Sequence, residues 1–441
     1  MKKRVSNKLF LGAGGLWLAG SLLSVSGQSL PDAQVKRCAH VEYEQVLQRR
    51  NPLRRHNVEA LNQKILEFKE LQAQSRTGET VYRIPIVVHV IHNNTSGFIG
   101  GANNPNISDE QIISQIQVLN EDYRRMEGTP GYNTDPIGAD TGIEFVLAQA
   151  DPTGRPSTGI TRHFNVKASY DVFKDDVLLS QIAYWPSDRY LNIWVVPSDR
   201  SQNSFYLGVA QFPEWGGSLP GLPGETNEFT DGVIIDFRAF GRIGAVTDPT
   251  YCCGRTTTHE VGHWLGLIHT WGDDVCGDDY VADTPPTERE NKTTQCTQTF
   301  STCNGVRTRD QIENYMDYSP DRCMNLFTKG QRDRMRTVLA VSPRRRRLIN
   351  SALALPEAEA LTLRISPNPA TIETEADVLF TGFKSFTVEV LDINGRPLRS
   401  LFYTDYPSVR VTVPVYGLPT GVYVVRVKTD SESKSARLLV H

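Results

Sequence analysis

Residues 259–269 read His-Glu-Val-Gly-His-Trp-Leu-Gly-Leu-Ile-His. His259 and His263 are four residues apart, so both imidazoles project from the same face of a helix. Gly266 permits a sharp change of direction, after which His269 can swing back toward the same point. Imidazole nitrogens are ligands that zinc prefers, at about 2.0–2.1 Å. The stretch therefore predicts a zinc site with three histidine ligands and a fourth position open to water.

Glu260 lies one residue round the helix from His259, outside the ligand set but within reach of a zinc-bound water. Zinc lowers the pKa of its water to about 7. We therefore expect Glu260 to take the proton, the hydroxide to attack a peptide carbonyl, and Glu260 to protonate the leaving amine. A lone histidine in a helix is more often a hydrogen-bonded core residue. Five residues at these offsets arise by chance with a probability on the order of 10⁻⁵.

A methionine turn accompanies the zinc helix. The pattern HExxHxxGxxH is the metzincin signature, and residues 314–318 (NYMDY) resemble the turn that these enzymes place beneath the metal. The resemblance implies that Met316 forms a hydrophobic floor under the histidines. It also implies that the Tyr318 hydroxyl hydrogen-bonds the transition-state oxyanion. The alternative is a core methionine and tyrosine in an ordinary turn.

Three longer blocks resemble the pappalysin family, in particular its small, ulilysin-like microbial members. These blocks are HEVGHWLGLIHTW (259–271), DYVADTPPT (279–287) and NYMDYSPDRCMNLFTKGQRDRM (314–335). The similarity covers about residues 80–350. It implies an α+β, two-lobed metzincin domain, a twisted mixed sheet plus helices, with one catalytic zinc, structural calcium and disulfides. It implies an endopeptidase acting on proteins or peptides, with an arginine preference in several members.

The family's calcium fits Asp283 in the DTPP loop, where oxygen ligands are dense. Without a family match, such Asp-rich loops are more often solvated turns. Two rival functions use the same zinc helix. A zinc aminopeptidase or amidase would need a second metal site or an anchor for an amino terminus, and neither is visible. A non-enzymatic secreted adhesin that retained the fold is expected to lose its base, whereas Glu260 is present.

The 441 residues are too many for one ordinary core, so two or three domains are expected. We predict a signal peptide (1–26), a pro-segment (27–78), a catalytic domain (79–350), a linker (351–361) and a C-terminal β-sandwich (362–441). With 39% hydrophobic and 22% charged residues and a net charge of −3, the composition is that of a soluble globular protein. The charge gives no indication of a nucleic-acid partner.

The first residues predict export. Basic residues precede the apolar run Leu9–Val25, and Ser24-Val25-Ser26 offers a small-x-small cleavage site. No later segment is apolar for long enough to span a bilayer, so the mature form is expected to have no membrane span. We therefore predict a secreted or cell-surface protein that crosses the outer membrane.

Six of the seven cysteines fall near the zinc motif. In an oxidising compartment we expect them to form disulfides, although six cysteines allow 15 pairings and the sequence does not choose among them. Zinc ligation by these six cysteines is a weaker interpretation, because no CxxC pair occurs among them. These cysteines are Cys252, Cys253, Cys276, Cys296, Cys303 and Cys323.

The seventh cysteine, Cys38, lies alone in Arg37-Cys38-Ala39-His40, inside the predicted pro-segment. The sequence RCA resembles the motif with which pro-forms of this family place a thiolate in the water position of zinc. Cys38 is thus a candidate zymogen switch. The alternative is an unpaired or intermolecularly bridged cysteine.

The C-terminal residues contain LRISPNPA (363–370), VEVLDINGRPLRS (388–400) and GLPTGVYVVRV (417–427). This order resembles the C-terminal sorting domain of the Bacteroidetes type IX secretion pathway over about residues 360–441. The resemblance implies secretion machinery as a partner. A carbohydrate- or protein-binding sandwich is the alternative, but no cluster of surface aromatics favours it.

Hydrophobic periodicity predicts the main elements. Residues 29–78 are expected to be helical, and Ser108 to begin a helix that reaches about Met126. Residues from Thr328 to about Ile349 return to a helical pattern. Asn394-Gly395 predicts a hairpin turn. The predicted strands are Tyr82–Ile91, Ile143–Ala148, Leu191–Val196, Val233–Phe237, Val388–Leu391, Val409–Val415 and Val422–Val427.

Overall fold

A computed structural model describes most of the chain. The described residues are 34–72, 81–201, 204–214, 228–353, 361–380, 384–406 and 409–441. The predicted signal peptide (1–26) and most of the predicted linker (351–361) lie outside these ranges. Among the described helices, none combines the length and the apolar character that a membrane crossing requires.

Sixteen strands and seven α-helices are named here in chain order. The strands are β1 (Gln34–Cys38), β2 (Tyr82–His92), β3 (Ile143–Leu147), β4 (Ile160–Phe164), β5 (Leu191–Val196), β6 (Ser204–Ala210), β7 (Gly232–Asp236), β8 (Phe300–Cys303), β9 (Val306–Arg309), β10 (Thr362–Ser366), β11 (Glu373–Leu379), β12 (Lys384–Leu391), β13 (Pro397–Tyr406), β14 (Val409–Pro414), β15 (Gly421–Thr429) and β16 (Ser433–Val440). The helices are α1 (His40–Arg50), α2 (Arg54–Gln72), α3 (Asp109–Tyr123), α4 (Asp176–Ile182), α5 (Arg255–Trp264), α6 (Lys329–Val341) and α7 (Pro343–Leu353). Three short 3-10 helices cover Glu228–Thr230, Phe237–Ala239 and Asp321–Cys323.

A seven-stranded sheet organises the first part of the chain, with the order β1-β6-β7-β5-β2-β3 and with β4 also paired to β2. Strands β2, β3, β4, β5 and β7 are parallel, whereas β6 is antiparallel to β7. Nine consecutive residues of β2 are buried, as expected for a parallel strand covered on both faces. The predicted mixed sheet with helices is confirmed.

The main core lies between one face of this sheet and helices α3, α5, α6 and α7. The Ser108 side chain accepts a hydrogen bond from the Gln111 amide, so α3 begins where the sequence predicts. Helix α5 packs against β6, β7 and α3, which places the zinc motif in the interior of the fold. Core residues from these elements include Val88, Ile112, Ile116, Ile193, Val233, Val261, Trp264, Met335, Leu339 and Leu348.

The predicted pro-segment is not wholly helical. Residues Gln34–Cys38 form a strand that adds to the edge of the sheet, parallel to β6. Helix α1 then packs on the opposite face of the sheet from α5, where Tyr43 and Leu47 join a second core. Helix α2 packs against α6. Sequence periodicity did not predict this five-residue edge strand, because its hydrogen-bonding partner is β6, far along the chain.

The helical pattern predicted from Thr328 to about Ile349 is present, but it is interrupted. The chain forms two helices, α6 and α7, that part at Ser342. Pro343 lacks an amide hydrogen and begins α7, a position where that loss costs nothing. The Arg344–Arg347 run is partly buried: Arg344 and Arg345 contact the carboxylate of Asp231 at 2.6 and 2.7 Å.

Disulfides organise the loop-rich segment 276–325. Cys276 pairs with Cys303 and Cys296 with Cys323, while the adjacent Cys252 and Cys253 pair with each other. The short hairpin of β8 and β9 is the main regular structure between these bridges. Each long-range bridge closes a loop of 27 residues and so restricts the unfolded chain.

The C-terminal residues form two antiparallel sheets, with the orders β10-β11-β14 and β13-β12-β15-β16. Their facing residues alternate with exposed ones and enclose a core of their own. The predicted turn at Asn394-Gly395 joins β12 to β13, and Gly395 adopts φ 81° there. The predicted all-β module is confirmed.

Candidate metal centre

Helix α5 carries the first two predicted ligands and the predicted base. It begins after Gly254, whose φ of 78° is a left-handed conformation that a side chain would strain. Every residue of α5 is buried, and the side chains of His259, Glu260 and His263 are fully inaccessible. Burying polar side chains costs free energy unless they have hydrogen-bond partners or bind an ion, so their contacts indicate the role of the helix.

The third predicted ligand reaches the same point after a turn. Helix α5 ends at Trp264, and Gly266 follows with φ 86°, which redirects the chain as the sequence predicts. His269 then places its Nε2 atom 3.1 Å from Nε2 of His263, which lies 3.1 Å from Nε2 of His259. The three ring nitrogens thus converge.

The opposite ring nitrogens are all engaged. His259 Nδ1 donates to the carbonyl of Tyr315 (2.7 Å), and His263 Nδ1 donates to that of Leu267 (2.8 Å). His269 Nδ1 bonds the carboxylate of Asp273. These acceptors leave the lone pairs of the Nε2 atoms directed at one another, an arrangement that three ligands of one cation satisfy. Ligands about 2.0–2.1 Å from a tetrahedral centre lie roughly 3.4 Å apart, so the donor set fits zinc.

Burial controls the protonation of these groups. It lowers the pKa values of His259 and His263 well below the usual range, so both imidazoles are neutral, as a metal ligand must be. Burial also raises the pKa of Glu260 to about 8, against the opposing effects of a hydrogen bond from Cys38 and the charge of Arg37. Glu260 packs against Gly208 of β6, where an added Cβ would contact its Cγ atom at 2.7 Å.

The predicted methionine turn lies beneath the histidines. Met316 is fully buried, and its sulfur packs so closely on Gly262 of α5 that a side chain at that position would overlap it. Tyr315, which precedes Met316, supplies the carbonyl that accepts the hydrogen bond from His259. The ring of Tyr318 lies 5.1 Å from that of His269, and its hydroxyl donates to the backbone oxygen of Cys38 over 3.5 Å.

Cys38 lies at the same point as the histidines. Its Sγ atom and their ring nitrogens all lie within 4.8 Å of one another, the one such group of potential metal ligands within the described ranges. The thiol donates to Oε2 of Glu260 over 3.4 Å, and it is the free cysteine of the described chain. His40, two residues on, stacks on His263 with ring centroids 4.0 Å apart. Burial raises the pKa of Cys38 well above its usual range.

A pocket for Arg37 adjoins the histidines, and no local sequence pattern predicts it. Arg37 is 1% exposed and donates from Nη2 to Oδ1 of Asp321 (2.7 Å) and to the carbonyl of Ser319 (2.8 Å). Its guanidinium carbon lies 5.0 Å from the ring centroid of Tyr251. Asp321 follows Met316 by five residues, but nothing in the sequence around it indicates that it pairs with a residue 284 positions earlier.

Asp283, the predicted calcium ligand, caps a helix in the described structure. Its Oδ1 accepts from the Thr328 hydroxyl (2.6 Å) and its Oδ2 from the Gly330 amide (2.9 Å) at the start of α6. Nearby Asp279 is buried, and burial raises its pKa to about 7. Each carboxylate oxygen of Asp283 retains a second lone pair, so these contacts leave room for a cation ligand.

The chain is similar to known proteins over both of its main parts. A family model described as "Pregnancy-associated plasma protein-A" matches residues 174–340, and one described as "Secretion system C-terminal sorting domain" matches residues 364–441. An "Extracellular metalloprotease" of Arthroderma otae is 31% identical over 254 residues, which are 57% of this chain and 76% of that protein.

Two solved structures are also similar. A Tannerella forsythia promirolysin variant is 36% identical, with a TM-score of 0.56 over 73% of this chain and 100% of that one. Tannerella forsythia mature mirolysin in complex with a cleaved peptide is 42% identical, with a TM-score of 0.50 over 63% of this chain and 99% of that one. The similarity extends further along this chain in the pro-form than in the mature form.

Proposed function

Since this chain belongs to the pappalysin family and is a secreted zinc metalloprotease, we propose that it is an endopeptidase with Glu260 as its general base. The observation that carries the proposal is the convergence of three buried imidazoles beside a buried carboxylate. His259, His263 and His269 would hold the zinc.

When bound, zinc would act as a Lewis acid that polarises the scissile carbonyl and acidifies a water molecule. Glu260 takes the proton of the attacking water at its carboxylate and passes it to the leaving amine. The Tyr318 hydroxyl, which here donates to the backbone carbonyl of Cys38, would donate to the oxygen on which negative charge develops. Met316 supports the floor of the site.

Cleavage of casein by the mature enzyme tests the reaction class. We expect internal fragments that disappear with chelator, return with added zinc, and are absent for Glu260→Ala, since loss of a general base costs about 10²–10⁴ in rate. Zinc content should be unchanged in Glu260→Ala, and Glu373→Ala, an exposed acidic residue of β11, serves as the matched control. Stepwise release of amino-terminal residues alone would support an aminopeptidase, and zinc binding without any cleavage would support an adhesin.

We propose that the precursor is latent because the pro-segment, through its described residues 34–72, occupies the cleft. Strand β1 lies on the edge strand β6, and Cys38 places its sulfur among the ring nitrogens while it hydrogen-bonds Glu260. A thiolate is a strong zinc ligand and would exclude water from the fourth position. Similarity to a promirolysin over 73% of this chain is consistent with this arrangement.

The pocket of Asp321 supports a preference for arginine in the substrate. Arg37 fills this pocket one residue before Cys38, so a substrate arginine adjoining the scissile bond would find the same carboxylate and the same carbonyl of Ser319. Mass spectrometry of a proteome digest should show arginine enriched at one position next to the cleaved bonds. Asp321→Asn should reduce that enrichment, while digestion without residue preference would contradict the proposal.

We also propose structural calcium at the loop of Asp283. Asp279 and Asp283 both lie in this loop. Burial raises the pKa of the Asp279 carboxylate to about 7, although hydrogen bonds from Thr284 and Val281 and the charge of Arg334 oppose the rise, and a calcium ion would further stabilise the ionised form. Calcium should raise the melting temperature of the wild type, and Asp283→Asn should lose most of that response. A response equal in both proteins would place the ion elsewhere.

The C-terminal sandwich (362–441) is proposed to address the protein to secretion machinery across the outer membrane. The match of residues 364–441 to a secretion sorting domain carries this proposal. Because its core is separate from that of the main sheet, deletion of residues 362–441 should leave casein cleavage intact while the protein remains in the producing cell. Unchanged export would overturn it.

A further inference from the structure

The disulfide between Cys252 and Cys253 lies in the wall of the arginine pocket. These residues end the loop that leads into α5, directly before Gly254. Tyr251, on one side of the pair, faces the guanidinium group of Arg37. The amide of Cys253 donates to Oδ2 of Asp321 over 2.9 Å.

The backbone of this loop positions the Asp321 carboxylate. While Oδ1 of Asp321 receives Arg37, Oδ2 accepts from the amides of Cys253 and Arg255, the latter over 3.1 Å. The Asp321 amide in turn donates to the carbonyl of Thr250 over 2.9 Å. The side chain of Asp321 is fully buried, so these contacts replace water around its charge. The direction of the carboxylate therefore depends on the conformation of residues 250–255.

A bond between neighbouring residues acts differently from the other two disulfides. The bridges from Cys276 and Cys296 each span 27 residues and restrict the unfolded chain. The Cys252–Cys253 bridge encloses only the peptide unit between its own two residues, so it removes almost no loop entropy from the unfolded state. Its main effect is local, because the ring restricts rotation about the backbone bonds on both sides of that peptide unit.

We propose that the Cys252–Cys253 disulfide determines specificity, holding the Cys253 amide on Asp321 and Tyr251 beside the guanidinium group of a substrate arginine. This proposal rests on the proposed function of Asp321 as the arginine-binding carboxylate. The disulfide is a positioning element and takes no part in bond cleavage. Opening it widens the range of loop conformations, so the two amides no longer hold the carboxylate in the direction that receives arginine.

Two peptides of equal sequence, one with arginine and one with its neutral analogue citrulline, test the proposal in the mature enzyme. The ratio of their kcat/KM values measures recognition of the charge. In the double variant Cys252→Ser/Cys253→Ser we expect this ratio to fall roughly tenfold, the scale of a weakened hydrogen bond to a charged group. Cleavage of the citrulline peptide should change little.

A matched control is Cys276→Ser/Cys303→Ser, which should lower the melting temperature and leave the ratio unchanged. If Cys252→Ser/Cys253→Ser fails to fold, limited phosphine reduction of the wild type, with mass-spectrometric mapping of free thiols, gives the same comparison. If the ratio stays at the wild-type value when the Cys252–Cys253 bridge is open, this inference is wrong. A ratio that still falls in Asp321→Asn would then support the arginine pocket without a role for the bridge. A wild-type ratio near one, or one unaffected by Asp321→Asn, overturns both proposals.

Discussion

The thiol sulfur of Cys38 lies 3.4 Å from Oε2 of Glu260, so one residue of the predicted pro-segment contacts the predicted base and the predicted zinc position together. Strand β1 and helices α1 and α2 hold that thiol in place through contacts with three different parts of the fold. Latency would therefore depend directly on the Cys38 thiol, while the contacts of β1, α1 and α2 keep the pro-segment bound to the rest of the fold.

Replacing Cys38 by alanine should activate the precursor, because the sulfur no longer occupies the centre although β1 and the two helices remain docked. Cleavage of a quenched peptide by freshly purified, intact precursor measures this effect, with chain length checked on the same sample. The combined variant Cys38→Ala/Glu260→Ala controls for contaminating proteases. Equal latency of Cys38→Ala and wild type would show that the rest of the pro-segment blocks the cleft by itself.

The contact between Gly262 and Met316 predicts strong coupling of the two positions. Gly262→Ala forces the methionine aside and should destabilise the fold by about 1–3 kcal/mol, while Met316→Ala leaves a cavity worth about 2–5 kcal/mol. In the double variant the new methyl group enters that cavity, so its loss should be clearly smaller than the sum. Denaturant unfolding in a Glu260→Ala background avoids self-digestion. If the two losses of unfolding free energy add up in the double variant, the two positions are not coupled and the prediction is wrong.

Asp273 should control zinc affinity through His269. Its carboxylate bonds the Nδ1 atom of that ring, which keeps the hydrogen there and aims Nε2 at the centre. We expect Asp273→Asn to weaken zinc binding by about 10–100-fold, as the loss of such a supporting partner does elsewhere. Competition with a chromophoric chelator measures the affinity. The neighbouring exposed residue provides a control, since Asp274→Asn should bind zinc like the wild type.

Asp231 should stabilise the fold in a pH-dependent way. Burial opposes its ionisation, but the charges of Arg345 and Arg344 outweigh burial and lower its pKa to about 2. Because the folded pKa lies below the unfolded value of about 3.9, the contribution is complete above that value and is lost as pH falls toward 2. Asp231→Asn should cost about 3–5 kcal/mol at neutral pH.

Unfolding of the Asp231→Asn and wild-type proteins, compared from pH 7 down to about 2, should show curves that approach each other only at the acidic end. Asp188→Asn is the matched control, because Asp188 pairs with Arg347 at the surface over 3.5 Å and such pairs contribute about 0–1 kcal/mol. A loss at Asp231 no larger than that at Asp188 would contradict the role of the buried pair.

Much of the fold was predictable from local pattern. The strands β2, β3, β5, β7 and β15 and the helix α3 follow from runs and stripes of apolar residues that a single window of sequence contains. The edge strand β1 and the division between α6 and α7 were not predicted. Strand β1 depends on a partner some 170 residues away. The apolar periodicity of α6 continues into α7 across Pro343, so the periodicity alone did not show that a new helix begins there.

The metal chemistry could be predicted from the residues of the zinc motif alone. Two histidines four residues apart, a glycine and a third histidine bring their rings together through local backbone geometry, so the residues alone were enough to predict the metal chemistry. The surroundings of that centre became visible only in the folded chain: Arg37 pairs with Asp321, Asp273 bonds His269, and Cys252 is bonded to Cys253. The physical reason is that side-chain partners and disulfides depend on distances in space, which local periodicity does not encode.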